Sequence, residues 1–133
     1  MKDLYILSVQ IQEFIEKYMV DKDGLIYAGI NVDTLKPFTA KELSKYKSET
    51  YYHTTISQYR CGTYEDSDMA TADYMDAQLL RYRVTGDKES LQIARRCFQA
   101  LSRVAIEGAK WERGFLPKPY GGIRHAAKSR GFS

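Results

Sequence analysis

The strongest constraint on this chain lies between Asp68 and Gly108. Apolar residues there recur every three to four positions, break once at Thr85-Gly86-Asp87, and resume. That pattern predicts two long helices closed by a tight turn, because a short connection forces consecutive helices to lie side by side. The first of the pair starts near Ser67 or Asp68, either of which can cap it. Met69, Ala72, Met75, Leu79 and Tyr82 make one apolar stripe on it, and Ala70, Tyr74, Ala77, Leu80 and Val84 make a second. Only the wedge with Asp73, Asp76 and Arg83 is plainly polar. A helix apolar on two sides is expected between layers. Gly86 stops it, and Asp87 caps a helix expected over 88–106. That helix carries one stripe, Leu91, Ala94, Phe98, Leu101 and Ala105, so it is expected to lie on the outside, with Gly108 ending it. An enclosed helix paired with an exposed one is the unit of a helical toroid or solenoid. An isolated helical bundle contains the same hairpin, and no clean internal sequence repeat accompanies this one.

Upstream, Leu4, Leu7, Ile11, Phe14, Ile15 and Tyr18 line one face of an opening helix over 2–20, with Ile6 and Val9 off the stripe. Asp21-Lys22-Asp23-Gly24 ends it, with Gly24 free to turn left-handed. Residues 25–32 are short, β-branched and aromatic, which predicts extended chain and at most one short strand. Thr39-Ala40-Lys41-Glu42 has the spacing of a capping box for a short helix. The stretch from Tyr46 to Tyr64 has no clean period and is rich in tyrosine. The fold class expected is therefore mainly α, built from helical hairpins.

The chain has 133 residues, the size of one domain, with 44% hydrophobic and 28% charged residues. That length buries roughly two thirds of its unfolded surface. A net charge of +3 with interleaved signs argues against a nucleic-acid partner. Only the segment 110–133 is one-sided, with Lys110, Arg113, Lys118, Arg124, Lys128 and Arg130 against Glu112, and it is expected to be a loop and solvated tail. The first twenty residues carry Asp3, Glu13, Glu16 and Lys17, so they form neither a signal peptide nor a membrane span, and a cytoplasmic protein is the default. Cys61 and Cys97 match no metal spacing and read as reduced thiols, Cys97 inside a helix. His53 and His125 are isolated. Asp21-x-Asp23-Gly24 lacks the downstream ligands of a calcium loop. No metal and no cofactor are expected.

Three features together resemble the N-terminal part of the six-hairpin glycosidase-like (α/α) toroids, which include glycoside hydrolases and unsaturated-glycuronyl hydrolases. One is the opening helix followed by Asp23-Gly24-Leu25-Ile26-Tyr27. Another is Tyr64-Glu65-Asp66-Ser67-Asp68 leading into a helix with Thr71-Ala72-Asp73-Tyr74-Met75-Asp76-Ala77. The last is Thr85-Gly86-Asp87 leading on to Arg113-Gly114-Phe115-Leu116-Pro117. In such toroids inner helices line a cleft and rim loops carry a sugar site. The resemblance covers about two of the usual six hairpins, so the chain is expected to be the opening segment of a larger ring. The implied partner is an oligosaccharide.

Glycoside cleavage needs two carboxyl groups flanking a bond, ~5 Å apart for retention and ~6.5–9.5 Å for inversion. Asp73 and Asp76, three apart on a helix, share a face and are the candidate acid and base, with Arg83 nearby in sequence as a partner. Glu65, Asp66, Trp111, Arg113 and Tyr120 are the candidate rim residues. Trp111 could stack on a sugar ring and Arg113 bind a uronate carboxylate. Each group also has a plainer role: Glu65, Asp66 and Asp68 favour a helix N-terminus, and Trp111 can pin the last helix. No turnover is expected of this chain by itself, because the opposite wall of the cleft is missing. The competing reading is a non-catalytic helical module for a protein partner, and free apolar helix faces would favour a homo-oligomer in either case.

Overall fold

The computed structural model describes residues 2–43, 62–119 and 121–123. The architecture is mainly α. Among the described residues its helices include α1 (Lys2–Tyr18), the single turn α2 (Ala40–Leu43), α3 (Ser67–Thr85) and α4 (Lys88–Ala109). Among the described residues there is no strand. The segment 25–32 contributes isolated antiparallel bridges, Val20 with Ile26 and Asn31 with Lys36.

α1 ends at Tyr18 rather than Val20 because the chain doubles back there. The Tyr27 amide donates to the Met19 carbonyl at 2.8 Å, and Asp21 Oδ1 accepts the amides of Asp23 at 2.7 Å and Leu25 at 3.0 Å. Gly24 closes this turn at φ 92°. The capping box at α2 forms reciprocally, Thr39 N–H to Glu42 Oε2 at 2.7 Å and Glu42 N–H to Thr39 Oγ1 at 3.3 Å.

The hairpin forms as its sequence demands. Gly86 is left-handed at φ 71° and its amide donates to Tyr82 O at 2.8 Å. Asp87 caps α4 by accepting from the Glu89 amide at 3.0 Å. The start of α3 differs from expectation. Asp66 holds the N-cap position without a side-chain capping bond, while Ser67, expected as the cap, lies inside the helix. Its hydroxyl is committed elsewhere, donating to the Ile26 carbonyl at 2.6 Å. One turn on, Thr71 Oγ1 accepts the Ile26 amide at 2.9 Å. Both backbone polar groups of buried Ile26 are thus satisfied by helix hydroxyls instead of by a neighbouring strand.

Two expectations about helix faces are corrected. α4 is one-sided as expected, but the buried face is rotated from the expected stripe: it buries Ser90, Ile93, Ala94, Cys97, Ala100, Val104 and Gly108, and leaves Phe98 exposed. Small residues won over large ones because they let other segments come close. Gly108 does not end α4; the helix runs through it to Ala109. A Cβ at Gly108 would stand 2.0 Å from the Phe115 carbonyl oxygen, so this glycine is where the following loop crosses the helix. Pro117, Pro119 and Ile123 beyond it are buried, and the segment expected to be solvated folds back as far as Ile123.

Among the described residues, α3 is not enclosed. Its buried residues are Ser67, Asp68, Thr71, Tyr74 and Gln78, mostly polar, and of the two expected apolar stripes only Tyr74 is among them. Leu80 is 58% and Val84 85% exposed, whereas Tyr74 is 7% exposed. The core sits between α4 and the 20–27 turn. One cluster joins Leu25, Ala100, Val104 and Ile123, with Tyr64 against it; the other joins Ile26, Tyr74, Ile93 and Cys97, with Ile15 and Met19 against it. Leu25, fully buried, stabilises the fold by about 1.5–3 kcal/mol. Most of the stretch from Tyr46 to Tyr64, with Cys61 and His53, lies outside the described residues, as do Tyr120, Arg124, His125, Lys128 and Arg130.

Candidate functional site

The hydrogen bonds and ion pair that tie α1 to the hairpin come from its C-terminal half. The carboxylate of Glu16 receives both terminal nitrogens of Arg96 at 2.6 and 2.7 Å and the Tyr74 hydroxyl at 2.9 Å. Burial would raise the Glu16 carboxyl, but the Arg96 and Tyr74 hydrogen bonds and the Arg96 charge outweigh it and hold it below its ordinary value. Burial and the same carboxylate push the Tyr74 hydroxyl up. Higher on the helix, Arg81 Nη1 donates to Gln12 Oε1 at 2.8 Å, and the Arg81 guanidinium lies 5.3 Å from the Tyr5 ring centroid. Arg81 Nε stands 3.7 Å from Asp87 Oδ2, a charge contact too long for a hydrogen bond.

These links hold α1 beside α3 while leaving a trough between them, with a volume of about 740 Å³. Tyr5, Ile11 and Ile15 form one wall, Ala77, Leu80 and Val84 the other, and Ile26 with Tyr74 lies deep. The polar groups in it are few: Ser8, Gln12, Asp73, Gln78, Arg81 and Thr85. Gln78 is buried, and among the described residues its Oε1 has no hydrogen-bond partner. A smaller groove of about 380 Å³ lies on the other side of α3, where Met75 and Leu79 face Phe98 of α4. The second apolar stripe of α3, and Met75 and Leu79 of the first, therefore line open grooves.

The anticipated site residues are only partly assembled. Asp73 lines the trough; Asp76 is exposed and does not. Arg83 is exposed, and among the described residues it forms no ion pair with either. Two carboxylates one turn apart on one helix stand on the same side of any bound bond, whereas glycoside cleavage needs them on either side. Glu65 and Asp66 share one end of the hairpin with Trp111 and Arg113, because α3 and α4 are antiparallel neighbours. Glu65 is ion-paired with Lys118, which ties α3 to the loop after α4. Asp66, Trp111 and Arg113 are exposed there. Tyr120 lies outside the described residues.

Glu16, Gln12, Gln78, Arg81 and Arg96 were not anticipated. Arg96 and Glu16 are 80 residues apart, and no local spacing pairs them. The recurrence of Ser67, Thr71, Tyr74 and Gln78 at helical spacing was the signal for the buried side of α3. Among the described residues no helix is long and apolar enough to cross a membrane, and no group of three or more His, Cys, Asp or Glu side chains is arranged to hold a metal ion. Comparison with protein-family models, curated proteins and solved structures finds no match for this chain.

Proposed function

We propose that this chain is a helical interaction module whose α1–α3 trough receives the apolar face of an amphipathic helix. The observation that carries this reading is the pairing of a long apolar trough with the exposed side chains of Leu80 and Val84 on its wall. A helix laid in such a groove presents apolar residues at i, i+3, i+4 and i+7. The trough supplies a matching track between two helices, the same packing that α3 makes with α4. Charge narrows the occupant further. Arg81 is already faced by Asp87, while Asp73 on the trough lining makes no ion pair among the described residues. A basic residue flanking the apolar face of the incoming helix complements it. In the toroid reading, a helix of a neighbouring hairpin takes this place.

The carbohydrate reading draws on one observation, the presence of Asp73 beside Tyr27 and Tyr74 in the trough. A mostly apolar lining suits a helix face better than a sugar, whose hydroxyls need many polar partners.

The two readings separate in one titration of labelled protein followed by amide chemical shifts. The probes are a synthetic leucine-lysine amphipathic peptide and, separately, neutral and uronate oligosaccharides. Shifts around Tyr5, Ile11, Leu80 and Val84 with the peptide, lost in Leu80→Glu, support the module. No response to the peptide, with oligosaccharide shifts at Asp73 and Asp76, overturns it in favour of the sugar site.

A further inference from the structure

α1 has a second apolar face that neither the core nor most of the trough uses. Its anchoring side is Gln12, Glu16 and Met19, which turn toward α3 and α4. About a third of a turn away stand Leu4, Leu7, Ile11, Phe14 and Tyr18, spaced alternately by three and four residues. This is the spacing of a two-stranded coiled-coil seam. Leu4 is 70% exposed, Leu7 49% and Ile11 51%; Ile11 alone of the set also borders the trough.

We propose that this stripe is a seam between two copies of the chain, their α1 helices packed antiparallel about a two-fold axis. The charges flanking the seam select that arrangement. Asp3, Gln10 and Lys17 are seven residues apart and precede Leu4, Ile11 and Tyr18, so they form one edge of the stripe. In an antiparallel pair this edge meets itself reversed. Asp3 of each copy then faces Lys17 of the other, with the two Gln10 side chains at the centre. The apolar layers match in the same register: Leu4 against Phe14 of the second copy, and Leu7 against its Ile11. A parallel pair would instead set Asp3 against Ser8 and Gln10 against Ile15 of the other copy, leaving both charges without an opposite partner. Among the described residues neither Asp3 nor Lys17 is used in an ion pair within the chain. Lys17 Nζ lies 4.9 Å from the Tyr18 ring centroid, which keeps it along the seam.

Sedimentation equilibrium from micromolar to millimolar concentration tests the assignment, at low salt so that the flanking charges count. The expected result is a reversible dimer. Leu7→Glu should abolish it while circular dichroism stays unchanged, since Leu7 is outside the core. Asp3→Lys and Lys17→Asp should each weaken the dimer about tenfold or more, and the double variant should restore it. A monomer throughout the range, a dimer indifferent to Leu7→Glu, or a double variant no better than the singles overturns the proposal.

Discussion

Thr71 and Ile26 are 45 residues apart, yet Thr71 Oγ1 accepts the Ile26 amide at 2.9 Å in a fully buried setting. The same hydroxyl donates to the Ser67 carbonyl at 2.6 Å, and Ser67 in turn donates to the Ile26 carbonyl. This clamp fastens the turn after α1 to α3. Thr71→Val keeps the shape of the side chain but leaves the Ile26 N–H buried with no acceptor. The expected loss is about 1–3 kcal/mol, read as a lower urea midpoint with an unchanged slope. A loss below about 0.5 kcal/mol would mean that water reaches this peptide.

Gly108→Ala reverses a general rule. Alanine inside a helix is ordinarily better than glycine by about 1 kcal/mol. Here the added Cβ would fall 2.0 Å from the Phe115 carbonyl oxygen and 2.6 Å from Pro117 Cδ, and backbone cannot swing aside as a side-chain tip can. The loop through buried Pro117 and Pro119 must lift off α4. Thermal unfolding should show a destabilised protein, by about 1–3 kcal/mol as for other overpacked sites. A raised melting temperature would contradict the crossing.

The hairpin was legible because its cues are local: a glycine that must be left-handed, an aspartate followed by a free amide two residues on, and helical periodicity on both sides. The face that each helix buries was not legible. Apolar stripes placed Phe98 inside α4 and enclosed Leu80 within the chain, whereas the structure buries Cys97 and Ala100 on α4 and a hydroxyl-bearing stripe on α3. Close approach favours small side chains, and Ser67 and Thr71 are needed where backbone lies against helix. Periodicity registers neither. Glu16 and Arg96 were illegible for a different reason: a pair joined only by tertiary packing has no spacing of its own. For the candidate carboxylates, the sequence correctly put Asp73 and Asp76 on one helix turn, but it could not show that Asp73 alone reaches the trough.

The Glu16 pair sets the expected pH dependence. The carboxyl is held below its ordinary value in the folded protein, so its contribution is complete above about 4.5 and is lost as pH falls through the folded-state value. Tyr74 acts in the opposite sense. Its hydroxyl is pushed up when folded, so stability is present below about 10 and is lost as pH rises beyond it. Glu16→Gln should therefore lower the denaturation midpoint at neutral pH and flatten the acid limb. Tyr74→Phe should flatten the alkaline limb while removing one donor from the carboxylate. The measurement is urea unfolding across the pH range; an acid limb as steep in Glu16→Gln as in the parent would locate the acid-sensitive group elsewhere.

Leu80 and Val84 separate a wall of the trough from a piece of the core. Both are large, apolar and mostly in water, so in the unbound chain their removal gives up little buried area. Leu80→Glu and Val84→Glu should each change stability by less than about 0.5 kcal/mol, as surface positions do. Leu25→Ala, by contrast, opens a cavity in a site with no exposure and should cost about 2–5 kcal/mol. If self-association covers Leu80, the melting temperature of the parent will rise with protein concentration and the glutamate variants will fall below it by a margin that grows with concentration. Thermal melts of all three variants at two concentrations distinguish these cases: two concentration-independent near-neutral variants beside a strongly destabilised Leu25→Ala assign the stripe to an unfilled docking wall.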